Sequence, residues 1–232
     1  MAVFPDQRAF AAAISRVLAD ALPGSRVSLI GSLGAGTDDE YSDVDLAWVV
    51  PDGAVPNAAD RLGAVLGAVA EVASVRSAPE FQRSALHRLV FVRFRGVPLF
   101  WRLDLQIWAA SHAFDTDVPR ASGIDWSLPE SAAMNAIGAC KAVLRGRPET
   151  AEGLLSRGFH RIGEPDPADG WASRIAALVD AGCRSGTAAA RARLGRPCAA
   201  SQARQRLSAA DGMRPSGSGD RAVRRRVPLG VR

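Results

Sequence analysis

The chain has 232 residues, 47% of them hydrophobic, and a formal net charge of +5. That length allows one large domain or two small ones with an ample core, no apolar run is long enough to span a bilayer, and the opening "MAVFPDQRAF" is no signal peptide. Three cysteines (Cys140, Cys183, Cys198), odd in number and far apart, argue against a disulfide framework and for reduced thiols in a cytoplasmic protein, and no Cys/His spacing suits zinc.

The charge is unevenly shared. Residues 185–232 hold 11 Arg against Asp211 and Asp220, a net of +9, which leaves residues 1–184 with 18 basic and 22 acidic side chains, a net of −4. Lys141 is the only lysine among 29 basic residues.

In chain order, Phe10, Ile14, Val17, Leu18 and Leu22 recur at helical spacing between Pro5 and Pro23-Gly24, which predicts a helix over 5–22. "RVSLIG" reads as a short strand ending at Gly31, and "DVDLAWVV" as a second strand stopped by "PDG". Asn57 then reads as the cap of a helix whose stripe is Leu62, Val65, Leu66, Val69 and Val72. "LHRLVFVRFRGVPLFWRLDLQIW" reads as two strands joined near "RGVP". In the second, Leu99, Trp101, Leu103, Leu105 and Ile107 take one side and Arg102, Asp104 and Gln106 the other. After a polar loop over 111–128, helices are expected at about 129–146, with Ala133, Ile137, Cys140 and Leu144 on one face, at 149–157 and at 167–183. From 185 onward periodicity is lost, and the Arg-rich tail reads as disordered. Without aromatic interleaving or a fold motif, that tail makes a weak case for nucleic-acid binding, and the acidic body offers no groove for a duplex.

The stretch "GSLGAGTDDEYSDVDL", residues 31–46, concentrates glycine, serine and acid ahead of an apolar strand. A dinucleotide-binding turn would need a long helix after the glycines and an acid beyond the next strand, and a phosphate loop would need Gly-Lys-Ser/Thr; neither is present. Asp43 and Asp45 stand two apart at a strand start, so both carboxylates emerge on one face as paired hard oxygen donors for Mg²⁺. Gly31 allows close backbone approach to a phosphate, which the Ser32 hydroxyl and backbone N–H groups can cradle. Asp38, Asp39 and Glu40 read as solvated loop acids, Trp48 and Trp101 as core, and the three histidines lack partners.

Gly31, Ser32, Gly36, Ser42, Asp43 and Asp45 together resemble the signature of DNA polymerase β-like nucleotidyltransferases. The resemblance implies an α+β fold with a mixed sheet over 1–110, its helices on one face, then a small helical domain over 111–184 that walls the cleft. It also implies a third carboxylate on a later strand, for which Asp104 fits, joining the metal pair or taking the acceptor's proton. Two Mg²⁺ ions held by Asp43, Asp45 and Asp104, with Gly31, Ser32 and Ser42 at the phosphates, would then serve transfer of a nucleoside monophosphate. The expected donor is an NTP, ATP foremost, and the expected acceptor a hydroxyl of a small molecule, as in enzymes that modify antibiotics. An antitoxin-type enzyme that modifies a partner protein and a non-catalytic nucleotide-binding protein are the alternatives. Lys141 is either a surface residue or a compact ammonium placed for the triphosphate.

Overall fold

The structure, a computed structural model, describes residues 3–167 and 169–185. The tail expected to be disordered therefore lies, Ser185 apart, outside the described residues. In chain order the elements are α1 (Gln7–Ala21), β1 (Arg26–Leu29), α2 (Gly31–Ala35), β2 (Val44–Val50), α3 (Val55–Leu66), β3 (Val72–Ser77), β4 (His87–Phe94), β5 (Leu103–Ala109), α4 (Leu128–Leu144), α5 (Pro148–Ile162) and α6 (Trp171–Ser185). The five strands form one mixed sheet in the order β1-β2-β5-β4-β3. β2 and β5 run parallel at its centre, and every other pair is antiparallel. The fold is thus α+β, with the strands first and the helices of 128–185 after them.

Alternation along β2 and β5 decides what each face of the sheet does. Val44, Leu46, Trp48 and Val50, with Leu103, Leu105 and Ile107, all at most 1% exposed, face Phe10, Ile14 and Leu18 of α1 and Leu62 and Leu66 of α3. Burying each such side chain is worth about 2 kcal/mol, so this face anchors the α/β unit. The intervening residues Asp45 and Asp104 point to the opposite face, where Ala47, Val49, Trp108 and Val118 form a separate small cluster at the far end.

Three local expectations are corrected. Asn57 does not cap α3: the helix starts at Val55 after Ala54, with no side-chain cap and with Pro56 in its first turn, where a fixed φ and a missing N–H cost nothing. The helix ends at Leu66, so Val72 opens β3 instead of closing a helical stripe. β3 is an edge strand, half-exposed on both sides, and so carries little alternation to announce it. Leu99 and Trp101 precede β5: a turn closes from Trp101 N–H to the Pro98 carbonyl at 3.0 Å, and proline cannot donate to the ladder. Phe100 is thereby turned into the helical core.

The helical unit packs on small residues. Ala132, Ala133, Ala136, Ala139, Cys140 and Ala142 are all buried, so α4 lies against both α5 and α6 and is enclosed on most sides. Two further differences lie at helix ends: α5 runs on to Ile162 because Leu155 and Phe159 continue its apolar face, and α6 begins four residues later than expected, at Trp171. The unit is joined to the sheet through Tyr41, Leu99 and Phe100. It is also joined by an ion pair from β3 to the first turn of α4, Arg76 Nε to Glu130 Oε1 at 3.3 Å, with Arg76 held over the rings of Phe91 and Trp126.

His87, at the start of β4, is 6% exposed and stacks on Trp108 with ring centroids 3.7 Å apart. Neither ring nitrogen has a hydrogen-bond partner among the described residues, and burial pushes the imidazole down to about 4. The folded state therefore keeps His87 neutral while the unfolded chain takes up a proton near 6.5. Stability from this residue is complete above that pH and drains away as pH falls towards 4. His87→Phe, which keeps the stack, is expected to melt progressively higher relative to the unsubstituted protein between pH 6.5 and pH 4.5. Parallel melting curves at the two pH values would refute it.

Candidate active site

The site is built where β1 turns into β2. Gly31 opens α2 with φ of 60°, a left-handed conformation that favours glycine. A Cβ there would stand 2.4 Å from Asp45 Oδ2, so the turn and the carboxylate share a space only glycine leaves open. Ser32 follows in α2, its hydroxyl without a partner among the described residues, and Gly36 ends the five-residue helix in the left-handed conformation at φ of 70°. The sequence pattern did not mark α2, since five residues are too few to show a period.

The loop back to β2 is clamped from both sides. Gln7 of α1 donates from Nε2 to the carbonyls of Asp39 (3.2 Å) and Ser42 (3.0 Å), and Arg8 pairs with Asp38. From α4, Arg145 grips Asp39 with both arms, at 2.7 and 2.5 Å. Asp38 and Asp39 are thus ion-paired at the surface, with Asp39 still exposed, and Arg145 foremost holds the Asp39 carboxyl well below the usual range. Ser42 is buried at 4% exposure; its hydroxyl donates to Asp39 Oδ1 and accepts from Asp39 N–H, so it braces the loop.

Three carboxylates then converge on the open face. Asp43 immediately precedes β2, Asp45 lies within it, and Asp45 stands in register with Asp104 on the parallel neighbour β5. Each has a different electrostatic setting. Lys141 of α4, 7% exposed, donates from Nζ to Asp43 Oδ1 at 2.6 Å. Arg102 holds both oxygens of Asp104, at 2.5 and 2.6 Å, and lies 3.8 Å from Asp43 Oδ2. Asp45 has no ion pair among the described residues; burial first, then the charges of Asp104 and Asp43, push its carboxyl up to about 6. Burial likewise raises Asp104, against the pull of Arg102, and lowers Lys141, against the pull of Asp43.

Asp43, Asp45, Asp104, Lys141, Gly31 and Ser32 are therefore all placed around one end of the β2–β5 pair. Arg102 and Arg145 were not singled out beforehand, although both left a trace. Arg102 shares strand parity with Asp104, and Arg145 lies one helical turn after Lys141. Their partners were invisible because those contacts join distant parts of the chain.

Two solved structures bear some likeness to this chain. A cytoplasmic RNA terminal U-transferase aligns at 17% identity with a TM-score of 0.36, over 65% of this chain and 38% of its own length. An H. pylori protein assigned as a nucleotidyltransferase aligns at 14% identity with a TM-score of 0.30, over 88% of this chain and 96% of that one. No family model and no curated protein matches the sequence. Among the described residues no helix is long and apolar enough to cross a membrane.

Asp45 supplies a direct test of the charge crowding. Its folded carboxyl binds a proton more tightly than the unfolded one, so its ionisation costs stability as pH rises from 3.8 through about 6, and the cost is complete above that. In EDTA, Asp45→Asn is expected to melt above the unsubstituted protein at pH 7.5, with the gap closing towards pH 4. A variant that melts lower at pH 7.5 would show that the carboxylate is compensated, not crowded.

Proposed function

We propose that this chain is a nucleotidyltransferase that moves a nucleoside monophosphate from an NTP, with ATP as donor, to a hydroxyl group of a small molecule. The observation that carries the reading is the register of Asp45 beside Asp104 with Asp43 on the same face, next to a glycine–serine turn packed against Asp45.

The residues suit a divalent cation in part as they stand. Among the described residues Asp45 has both oxygens free of hydrogen-bond partners and Asp43 keeps Oδ2 clear of hydrogen bonds; such adjacent hard oxygens, uncompensated enough to raise Asp45, fit Mg²⁺. Among the described residues no three acidic or other ligating side chains already stand as a metal nest, two of the acids being turned to Lys141 and Arg102. Asp43 and Asp45 would hold the ion, and Asp104 would complete the set. When bound, the metal would neutralise the triphosphate and stabilise the oxygens of an in-line displacement.

The chain's own groups do the positioning. Ser32 and the backbone beside Gly31 would receive phosphate oxygens, which the free hydroxyl and the open turn support. Lys141 would exchange part of its bond to Asp43 for a phosphate oxygen, as a compact ammonium can. Ser42 serves by bracing the loop that presents Asp43. Asp104 would take the proton of the attacking hydroxyl, and pyrophosphate would leave from the far side. The glycine–serine turn lies on the β1 side of the acids, so an acceptor would approach from the β4 side.

The test uses calorimetry together with a pyrophosphate-release screen over four NTPs and hydroxylated compounds. The unsubstituted chain should bind ATP more tightly with Mg²⁺ or Mn²⁺, and Asp43→Asn with Asp45→Asn should abolish that metal dependence. Asp104→Asn should retain Mg-ATP binding yet lose transfer by at least about a hundredfold, the usual contribution of a positioned base. Unaltered metal dependence in the double variant would overturn the assignment.

A further inference from the structure

Asp104 differs from the other two acids in having both oxygens occupied. Its partner, Arg102, lies two residues earlier in the chain and on the same side, so the fork needs no distant element to form it. The same guanidinium reaches to within 3.8 Å of Asp43 Oδ2 and lies over the ring of Phe91, 5.3 Å from its centre. Arg102 therefore sits between two of the three acids, in the space where a cation common to both would lie. Lys141 covers the remaining side of Asp43.

This arrangement suits a site without nucleotide. Three like charges gathered on one face repel each other, and two built-in cations reduce that repulsion. It does not favour a third metal ligand, because the fork uses one lone pair on each Asp104 oxygen and sets a positive charge beside Asp43, where a shared cation would lie. The Arg102 side chain is 24% exposed and so is not walled in. A guanidinium fork matches phosphate as well as it matches carboxylate, so a polyanion arriving at the adjacent turn offers an alternative partner.

We propose that Arg102 is a latch on Asp104: its fork keeps the third carboxylate out of the metal set until an anionic triphosphate draws the guanidinium away. The complete carboxylate set then forms only with nucleotide in place. Arg102 acts through Asp104 and is a positioning residue. This inference rests on the nucleotidyltransferase reading for the identity of the releasing anion.

The experiment titrates Mn²⁺ into the full chain, following the free-ion electron paramagnetic signal, with and without a non-hydrolysable ATP analogue. The unsubstituted protein should bind Mn²⁺ weakly alone and tightly with the analogue. Arg102→Gln should bind Mn²⁺ alone on the order of tenfold more tightly, the scale on which groups that orient metal ligands act. Arg102→Lys keeps the charge but not the fork, and should shift in the same direction by less; it also carries the test if the glutamine variant does not fold. Should Arg102→Lys match the unsubstituted protein, charge alone would be acting and the latch would be refuted. Equal Mn²⁺ affinity with and without the analogue in the unsubstituted protein would also refute it, while leaving nucleotidyl transfer intact. If no form binds Mn²⁺ under either condition, both the latch and the reading beneath it fall.

Discussion

Two parallel strands in register bring Asp45 and Asp104 side by side, and Asp43 joins them two residues along the same face. Ionised carboxylates this close disfavour one another, and burial adds to the cost. The surrounding structure is organised around that cost. Lys141 neutralises part of Asp43, Arg102 neutralises Asp104, and Asp45 is left with a carboxyl pushed up to about 6. Among the described residues Asp45 has no ion pair, so its burial lowers stability, a cost that the proposed cation would offset.

The face that carries the acids can tolerate them because the other face does the folding. α1 and α3 cover the apolar side of the sheet, where the largest side chains are fully buried. That separation follows from the two-residue period of a strand: Leu46 and Leu105 go inward because Asp45 and Asp104 go outward. Changes at the acids should therefore alter charge and chemistry more than they alter the core.

Helix α4 couples the two units of the chain. Its alanines let α5 and α6 approach closely, and Lys141 and Arg145, four residues apart, project together towards the loop that carries the acids. Glu130 at its other end meets Arg76 on β3. The helix is thus tied to the rest of the fold at both ends by ion pairs, of which Arg76–Glu130 is the most buried, and there loss of one partner leaves the other charge uncompensated. This makes the helical unit part of the site and not an appendage to it.

Much of this was legible in the sequence. The helices other than α2 and four of the five strands follow from apolar periodicity, because burial of one face imposes that period on the residues. Asp43 and Asp45 could be placed on a common face from strand parity, and Gly31 and Ser32 at the turn that follows a strand; parity put Asp104 on the polar side of its own strand, and that it joins the pair was what the resemblance implied. β3 escaped notice because an edge strand, half-exposed on both sides, has little pattern to show. α2 was too short to show a period, and Val69 and Val72 extended a helical stripe that the backbone had already left. What only the tertiary structure decided is which charges meet. Arg145 finds Asp39 across 106 positions, and Lys141 finds Asp43 across 98. Arg102, though its fork to Asp104 is local, comes within reach of Asp43 only when β2 and β5 pair. Secondary structure is written in local periodicity, whereas an ion pair depends on how separate elements are brought together, and no spacing along the chain encodes that distance.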